Sequence, residues 1–92
     1  MEFVHNRERR CFEAWVDGER AGETFYILDG SVADFNHTVV APQFAGRGIA
    51  GALVSYAMDS VRAEGVWTVR PTCTYVAAWF AKNPDYAELL DN

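Results

Sequence analysis

The chain has 92 residues, 50% of them hydrophobic and 14% aromatic, so its composition predicts one small packed domain rather than a disordered segment. A formal net charge of −5, with no basic stripe, argues against a general nucleic-acid-binding protein and leaves a cationic or amine partner as an option. A separate substrate domain is excluded at this length, and a large ligand must therefore lie in a surface groove.

Cysteine content and the terminal residues predict the compartment. Cys11 and Cys73 are too few for a disulfide scaffold or a zinc site, and we expect no metal. The first residues lack the basic and apolar regions of a signal peptide, and the longest strongly apolar uncharged run, residues 75–81, is too short to cross a bilayer. We therefore expect a cytoplasmic protein with reduced thiols that binds neither membranes nor nucleic acid.

The first half of the chain predicts an antiparallel meander. Asp17-Gly18 and Asp29-Gly30 are pairs that favour tight turns, and Pro42 cannot donate a hydrogen bond to a sheet. Alternation of apolar and polar residues between these points indicates strands. The four predicted strands cover residues 3–5, residues 11–16, a return strand ending at residue 28, and residues 31–40.

The hydrophobic period then changes to that of a helix. Apolar residues recur at helical spacing from about Gly48 to Glu64, and Gly65 predicts the end of that helix. The order β-β-β-β-α-β-α predicts an α+β fold with a mixed, mostly antiparallel sheet in a single domain over residues 1–92. The last predicted elements are a short strand at residues 66–69, a helix at residues 75–82 and a turn or two at residues 85–90.

The loop between the third long strand and the long helix is the most informative segment. Gly46 and Gly48 lie directly before the helix, where backbone N–H groups and the helix dipole converge on one point. Glycine lets an anion approach the backbone, and Arg47 can add a charge-assisted contact. The segment is neither a Walker loop nor a Rossmann fingerprint. It predicts an anion site, with two glycines merely tolerated at a strand-to-helix turn as the alternative.

Three segments resemble the GNAT N-acetyltransferase superfamily, in particular its short single-domain branch. The sequence Q-F-A-G-R-G at residues 43–48 is similar to the acyl-CoA pyrophosphate motif Q/R-x-x-G-x-G/A of that superfamily. Residues 71–76, P-T-C-T-Y-V, and residues 83–86, N-P-D-Y, are similar to segments of the short branch. The similarity extends over about residues 20–90.

The resemblance implies an acetyl-CoA-binding fold with flanking helices. Its third long strand and its last strand splay apart, and the pantetheine arm of the co-substrate enters the resulting V. The implied activity is transfer of an acetyl group from the thioester of acetyl-CoA to an amine acceptor, small molecule or protein. The residues implied to hold acetyl-CoA are Val39, Val40, Gln43, Phe44, Ala45, Gly46, Arg47, Gly48, Ile49 and Ala50.

Three side chains are candidates for the chemistry. Cys73 precedes the second helix, whose N-terminus favours a thiolate, and the resemblance implies a place near the thioester; the alternative is a small buried hydrophobe. His37 could accept a proton from an incoming ammonium, or could be a half-buried strand histidine. The resemblance implies that Tyr75 protonates the departing CoA thiolate, whereas the alternative is an aromatic residue packed on the sheet. Cys11 is interpreted as structural and His5 as a surface residue.

Two mechanisms and a second class of function remain open. An amine can attack the thioester directly with His37 or water as base, or Cys73 can first take the acetyl group. Backbone N–H groups around residues 39–41 are the expected oxyanion donors. Larger members of the superfamily often carry a Glu on this strand, and this chain has none there. The alternative function is therefore a non-catalytic CoA- or acyl-CoA-binding module that acts through a protein partner.

Overall fold

A computed structural model describes residues 1–91 and contains one five-stranded sheet in the order β1-β2-β3-β4-β5. Two helices and two short 3-10 segments, Pro42–Phe44 and Pro84–Leu89, complete the fold. The strands and helices are β1 (Glu2–Asn6), β2 (Cys11–Val16), β3 (Glu19–Asp29), β4 (Val32–Val40), α1 (Ile49–Glu64), β5 (Thr68–Arg70) and α2 (Thr74–Lys82).

The predicted α+β architecture is confirmed. The strands β1 to β4 form an antiparallel meander, and α1 crosses over to place β5 parallel to β4. The long helix starts and ends at glycines, Gly48 and Gly65, both in the left-handed region, as the sequence predicts.

The last strand differs from the prediction. It was expected at residues 66–69 and lies at Thr68–Arg70, while Val66 is 61% exposed. Apolar character at Val66 and Trp67 indicated a strand, but these residues only lead the chain from the end of α1 back to the sheet. Pro71 follows directly and has no N–H to donate, which limits β5 to three residues.

Because β5 has only three residues, β4 and β5 pair over a short distance and then diverge. Their pairing is confined to Val32–Thr68, Ala33–Val69 and Asp34–Arg70. Beyond Asp34, residues 35–40 of β4 have no strand on this side, and we call them the open edge. The splayed pair of strands that the resemblance implied is thus confirmed.

Both helices pack on one face of the sheet and enclose the hydrophobic core. The fully buried Phe12 and Phe35 meet the fully buried Leu53 and Met58 of α1 there. Trp79 and Phe80 of α2 are also buried. No helix within residues 1–91 is both long and apolar enough to cross a membrane.

The opposite face of the sheet carries an ionic cluster around Cys11. Cys11 is 0% and Glu13 only 3% exposed, although both lie on the face that the helices do not cover. The Cys11 thiol and the carboxylates of Glu13 and Glu23 have ligand atoms within 4.8 Å of one another, but Arg9 and Arg20 pair with both carboxylates. Burial, and then the charge of Glu13, raises the pKa of Cys11 to about 11. These arginines account for the burial of two carboxylates on this face.

His5 is the other residue whose environment was wrongly predicted. It is half-buried rather than a free surface residue, and its ring stacks on that of Phe12 with centroids 4.0 Å apart. Its Nε2 lies 2.6 Å from the hydroxyl of Tyr26. Burial, and then the nearby Arg7 charge, lowers the pKa of His5 below its usual 6.5.

Candidate functional site

The open edge of β4 presents backbone groups that the sheet does not use. Ala41 donates its N–H to the carbonyl of Ala21 at 2.8 Å, which fixes how β3 and β4 pair. N–H directions alternate along an antiparallel strand. The N–H of Val39 therefore points to β3, whereas those of Thr38 and Val40 face the open side. Of the expected oxyanion donors, Val40 alone has its N–H on that side.

The turn after β4 uses two of the N–H groups that were assigned to the anion site. Phe44 donates to the carbonyl of Ala41 at 2.9 Å, and Ala45 donates to that of Pro42 at 3.2 Å. The Phe44 ring is buried, and the guanidinium carbon of Arg47 lies 5.2 Å from the ring centroid. Phe44 and Ala45 therefore shape the turn, while their N–H groups are occupied.

The following six N–H groups, those of residues 46–51, are different. They donate to no backbone carbonyl within residues 1–91, and the first intrahelical bond of α1 is from Ala52 to Gly48. No side chain caps this helix, and its first turn carries no acidic residue. Gly46 and Gly48 adopt φ values of 80° and 73°. The loop thus has the free donors and the positive helix end that an anion site requires.

Cys73 lies beside the open edge as the N-cap residue of α2. Its N–H donates to the carbonyl of Phe35 at 2.8 Å, and its Sγ lies 3.6 Å from Oγ1 of Thr38. The pKa of Cys73 is lowered overall, because hydrogen bonds outweigh burial, the largest single influence, which raises it. The groups that lower the pKa are the N–H of Val76, the hydroxyl of Thr38 and the N–H groups of Tyr75 and Thr38, although the Cys73 side chain makes no capping hydrogen bond at the start of α2. The sulfur thus lies in a site that favours the thiolate.

Tyr75 reaches from the first turn of α2 to the first turn of α1. Its side chain is 42% exposed and is not packed on the sheet, which was the alternative interpretation. Its hydroxyl lies 3.4 Å from the position that a Cβ on Gly51 would occupy, over the first turn of α1. A methyl group at residue 51 would be in van der Waals contact with this hydroxyl. Gly51 is a site residue that sequence reasoning missed, although a glycine inside a helix was a visible signal.

His37 lies on the other face of the sheet. It is exposed, and its ring stacks on that of Phe25 with centroids 6.0 Å apart. A bulge in β4, where Phe35 faces Tyr26 and His37 faces Phe25, leaves Asn36 without an opposite residue. The bulge turns Thr38, rather than His37, to the side of the helices and Cys73. The structure therefore brings together Cys73 and Tyr75 but not His37.

The family model described as GCN5-related N-acetyl-transferase matches residues 11–89. The chain belongs to this family. The resemblance of the Q-F-A-G-R-G segment to the superfamily is thereby confirmed at the level of family and fold.

Relatives of similar length carry the same domain. Protein NATD1 of Xenopus tropicalis is 36% identical over 90 residues, which covers 94% of this chain and 82% of the relative. Protein NATD1 of Homo sapiens is 33% identical over 90 residues and 79% of its length is covered.

Solved structures agree on the fold. A GCN5-like putative N-acetyltransferase from Staphylococcus aureus aligns with a TM-score of 0.72 at 16% identity, over 99% of this chain and 88% of that one. The ribosomal-protein-S18-alanine N-acetyltransferase from Escherichia coli aligns with a TM-score of 0.64 at 20% identity, over 80% of this chain and 52% of that one. At these identities the likeness concerns the fold.

Proposed function

We propose that this protein is an acetyl-CoA-dependent N-acetyltransferase that moves an acetyl group from the thioester to an amine acceptor. One observation carries the proposal: the open edge of β4 leads directly into the unpartnered N–H groups of residues 46–51. A ligand that joins an extended amide-containing arm to a diphosphate can bond to both in sequence. Acetyl-CoA has this form, and it is the acetyl donor used by the family.

Each proposed contact with acetyl-CoA follows from the direction of a group. The N–H of Thr38 is available to an amide of the arm and that of Val40 to the thioester carbonyl, while Val39 lies between them with its own N–H directed to β3. The diphosphate bonds to the N–H groups of residues 46–51, with charge supplied by Arg47 and the helix dipole. Gln43 is exposed at the mouth of this loop and can donate from its side-chain amide.

One backbone group and two side chains are proposed to carry out the steps of the reaction. The N–H of Val40 stabilises the oxyanion that forms on the thioester carbonyl. The Tyr75 hydroxyl, which lies over the first turn of α1, gives its proton to the departing CoA thiolate. On the opposite face, the exposed His37 can accept the proton of an ammonium acceptor, either directly or through water.

Two routes for the acetyl group are compatible with this arrangement. In the direct route the neutral amine attacks the thioester carbon, and the bond from that carbon to the CoA sulfur breaks. In the two-step route the Cys73 thiolate attacks the same carbon, CoA leaves as a thiol after protonation, and the amine then displaces Cys73. The second candidate function is a module that binds acyl-CoA without turnover, and the absence of a carboxylate on the open edge favours it.

The experiment combines intact mass, thiol release and binding. Wild type, Cys73→Ala and, as a matched control, Cys11→Ala are mixed with acetyl-CoA, with and without a panel of polyamines and peptides. An acetyl adduct present in wild type and Cys11→Ala but lost in Cys73→Ala supports the two-step route. Turnover that persists in Cys73→Ala, with no acetyl adduct detected in wild type, supports the direct route.

Two further outcomes contradict the proposal as stated. Binding of acetyl-CoA without thiol release against any amine favours the binding module. If millimolar acetyl-CoA gives no thermal shift, the proposed co-substrate is wrong, because saturation about 100-fold above Kd stabilises a protein by about 2.7 kcal/mol.

We also propose that residues 1–92 act as one minimal domain in the cytoplasm. Both cysteines are free thiols. A reducing compartment suits chemistry that depends on the Cys73 thiol. The net charge of −5 favours a cationic acceptor over an anionic one.

A further inference from the structure

A chain of hydroxyl groups leads from the interior of the sheet to Cys73. Thr24 of β3 is 0% exposed, and its Oγ1 lies 2.9 Å from Oγ1 of Thr38 across the strand pair. The Thr38 oxygen in turn lies 3.6 Å from the Cys73 sulfur. This polar chain occupies the face that elsewhere packs against the helices with aromatic and aliphatic side chains.

Burial of Thr24 decides which way the chain of hydrogen bonds runs. Among residues 1–91 the hydrogen-bond partner of the Thr24 hydroxyl is Thr38. A buried hydroxyl that does not donate its proton lowers the stability of the folded protein. The most favourable arrangement is therefore one in which Thr24 donates to Thr38. A hydroxyl has one proton, and Thr38 is then free to donate it to the sulfur.

We propose that Thr38 is a positioning residue for the Cys73 sulfur and that Thr24, behind it, fixes the direction in which the Thr38 hydroxyl donates. The proposal rests on the proposed function, in which Cys73 lies at the reacting thioester. A thiolate accepts the proton of the Thr38 hydroxyl strongly, whereas a neutral thiol is a weak acceptor and can instead donate its own proton to the Thr38 oxygen.

The effect of the Thr38 hydroxyl on Cys73 can be tested separately from the effects of nearby charges. The main influences on the pKa of Cys73 are burial and uncharged donors. The titratable and charged groups on the adjoining elements are Tyr75, exposed on α2, His37, whose ring lies on the opposite face against Phe25, and Arg70 of β5, which pairs with Asp29, Asp34 and Asp91. Removal of the Thr38 hydroxyl therefore changes the principal side-chain donor and leaves the charges around the sulfur as they are.

The test measures alkylation of Cys73 by iodoacetamide as a function of pH, followed by intact mass and peptide mapping. Thr38→Val keeps the β-branched shape and the backbone N–H but lacks the hydroxyl. We expect its alkylation profile to move to higher pH and its rate near neutral pH to fall about three- to tenfold, the effect of losing one hydrogen bond to a charged acceptor. Thr38→Ser should restore the wild-type profile, and Thr24→Val should shift the profile in the same direction by less.

Internal controls keep each outcome interpretable. Cys11 is fully buried, so its alkylation reports unfolding of any variant. If Thr38→Val exposes Cys11, the comparison of Thr24→Val with Thr24→Ser carries the test. Identical profiles in wild type and the folded hydroxyl-free variants would overturn the proposal.

The reaction with iodoacetamide needs no acetyl-CoA, which separates this inference from the proposed function. A shifted profile in a protein that never binds or turns over acetyl-CoA would uphold the positioning role of Thr38 and refute the function. Acetyl transfer through Cys73 with an unshifted profile would refute the positioning role alone.

Discussion

At the scale of single residues, the loop before α1 depends on backbone conformation more than on charged side chains. Gly46 and Gly48 adopt positive φ, a region in which a side chain costs about 1 kcal/mol or more. No atom lies within 4 Å of a Cβ built on either glycine. Space within the protein therefore does not require these glycines, whereas the backbone conformation does, and the proposed contact of a diphosphate with the N–H groups gives a second reason for them.

A pair of glycine substitutions separates these two reasons. Gly48 and Gly30 both have positive φ and open space around the position of a Cβ, but Gly30 lies in the β3–β4 turn. We expect Gly48→Ala and Gly30→Ala each to lower the free energy of unfolding by about 1 kcal/mol in urea titrations. Only Gly48→Ala should weaken acetyl-CoA binding, by about tenfold in calorimetry, since its methyl group meets the diphosphate. Equal affinities of the two variants would contradict the placement of the diphosphate at this loop.

At the scale of secondary-structure elements, the open edge of β4 arises from the shortness of β5. Pro71 ends β5, and the N–H of Thr72 turns back to the carbonyl of Arg70 at 3.1 Å. The chain then enters α2, and the backbone bond that ties this segment of residues 71–91 to β4 is from the N–H of Cys73 to the carbonyl of Phe35. Two adjacent features of the sequence, a proline and a helix start, thus hold the strands apart where acetyl-CoA is proposed to enter.

Amide hydrogen exchange tests the open edge at neighbouring residues. The N–H of Val39 is directed to β3 and that of Val40 to the open side, so we expect the Val40 amide to exchange faster in the free protein. Saturating acetyl-CoA should slow exchange at Val40 at least about tenfold relative to Val39, measured by NMR. Protection of Val40 that is already equal to that of Val39 without ligand would show that the edge is closed.

At the scale of the whole molecule, β1 is attached to the core through a histidine. His5 stacks on Phe12 and bonds to the hydroxyl of Tyr26 in its half-buried position. Burial is the main reason that the pKa of His5 is lowered in the folded state. Protonation of His5 is therefore unfavourable for folding, and the stability of the entire domain is linked to its titration.

The sign of this linkage gives a prediction for acid stability. The unfolded chain takes up the His5 proton near its usual pKa of 6.5, whereas the folded chain takes it up only at lower pH. The stability that depends on a neutral His5 is fully present above pH 6.5 and is lost as the pH falls through 6.5 toward the folded-state pKa. Urea unfolding at about pH 7.5 and about pH 5.5 should show a smaller loss of stability in His5→Gln than in wild type. An unchanged loss in His5→Gln would refute the assignment.

Most of the element order and the family could be predicted from the sequence because their signals are local. Hydrophobic period, turn pairs and terminal glycines depend on residues within one or two turns of each other. The anion-site loop is also a local signal, since strand, glycines and helix follow one another along the chain. Strand β5 was misplaced because Val66 and Trp67 are apolar, and pairing with β4 is decided by distant residues.

The sequence by itself thus determined the family, the α+β order and the loop of free N–H groups. The tertiary structure alone decided which side chains meet at the split in the sheet. Simple alternation from Phe35 would have turned His37 toward the helices, but the bulge at Asn36 turns Thr38 to Cys73 and His37 away. A one-residue change in register exchanges the two faces of a strand, and register depends on contacts between β3 and β4 that no local pattern records.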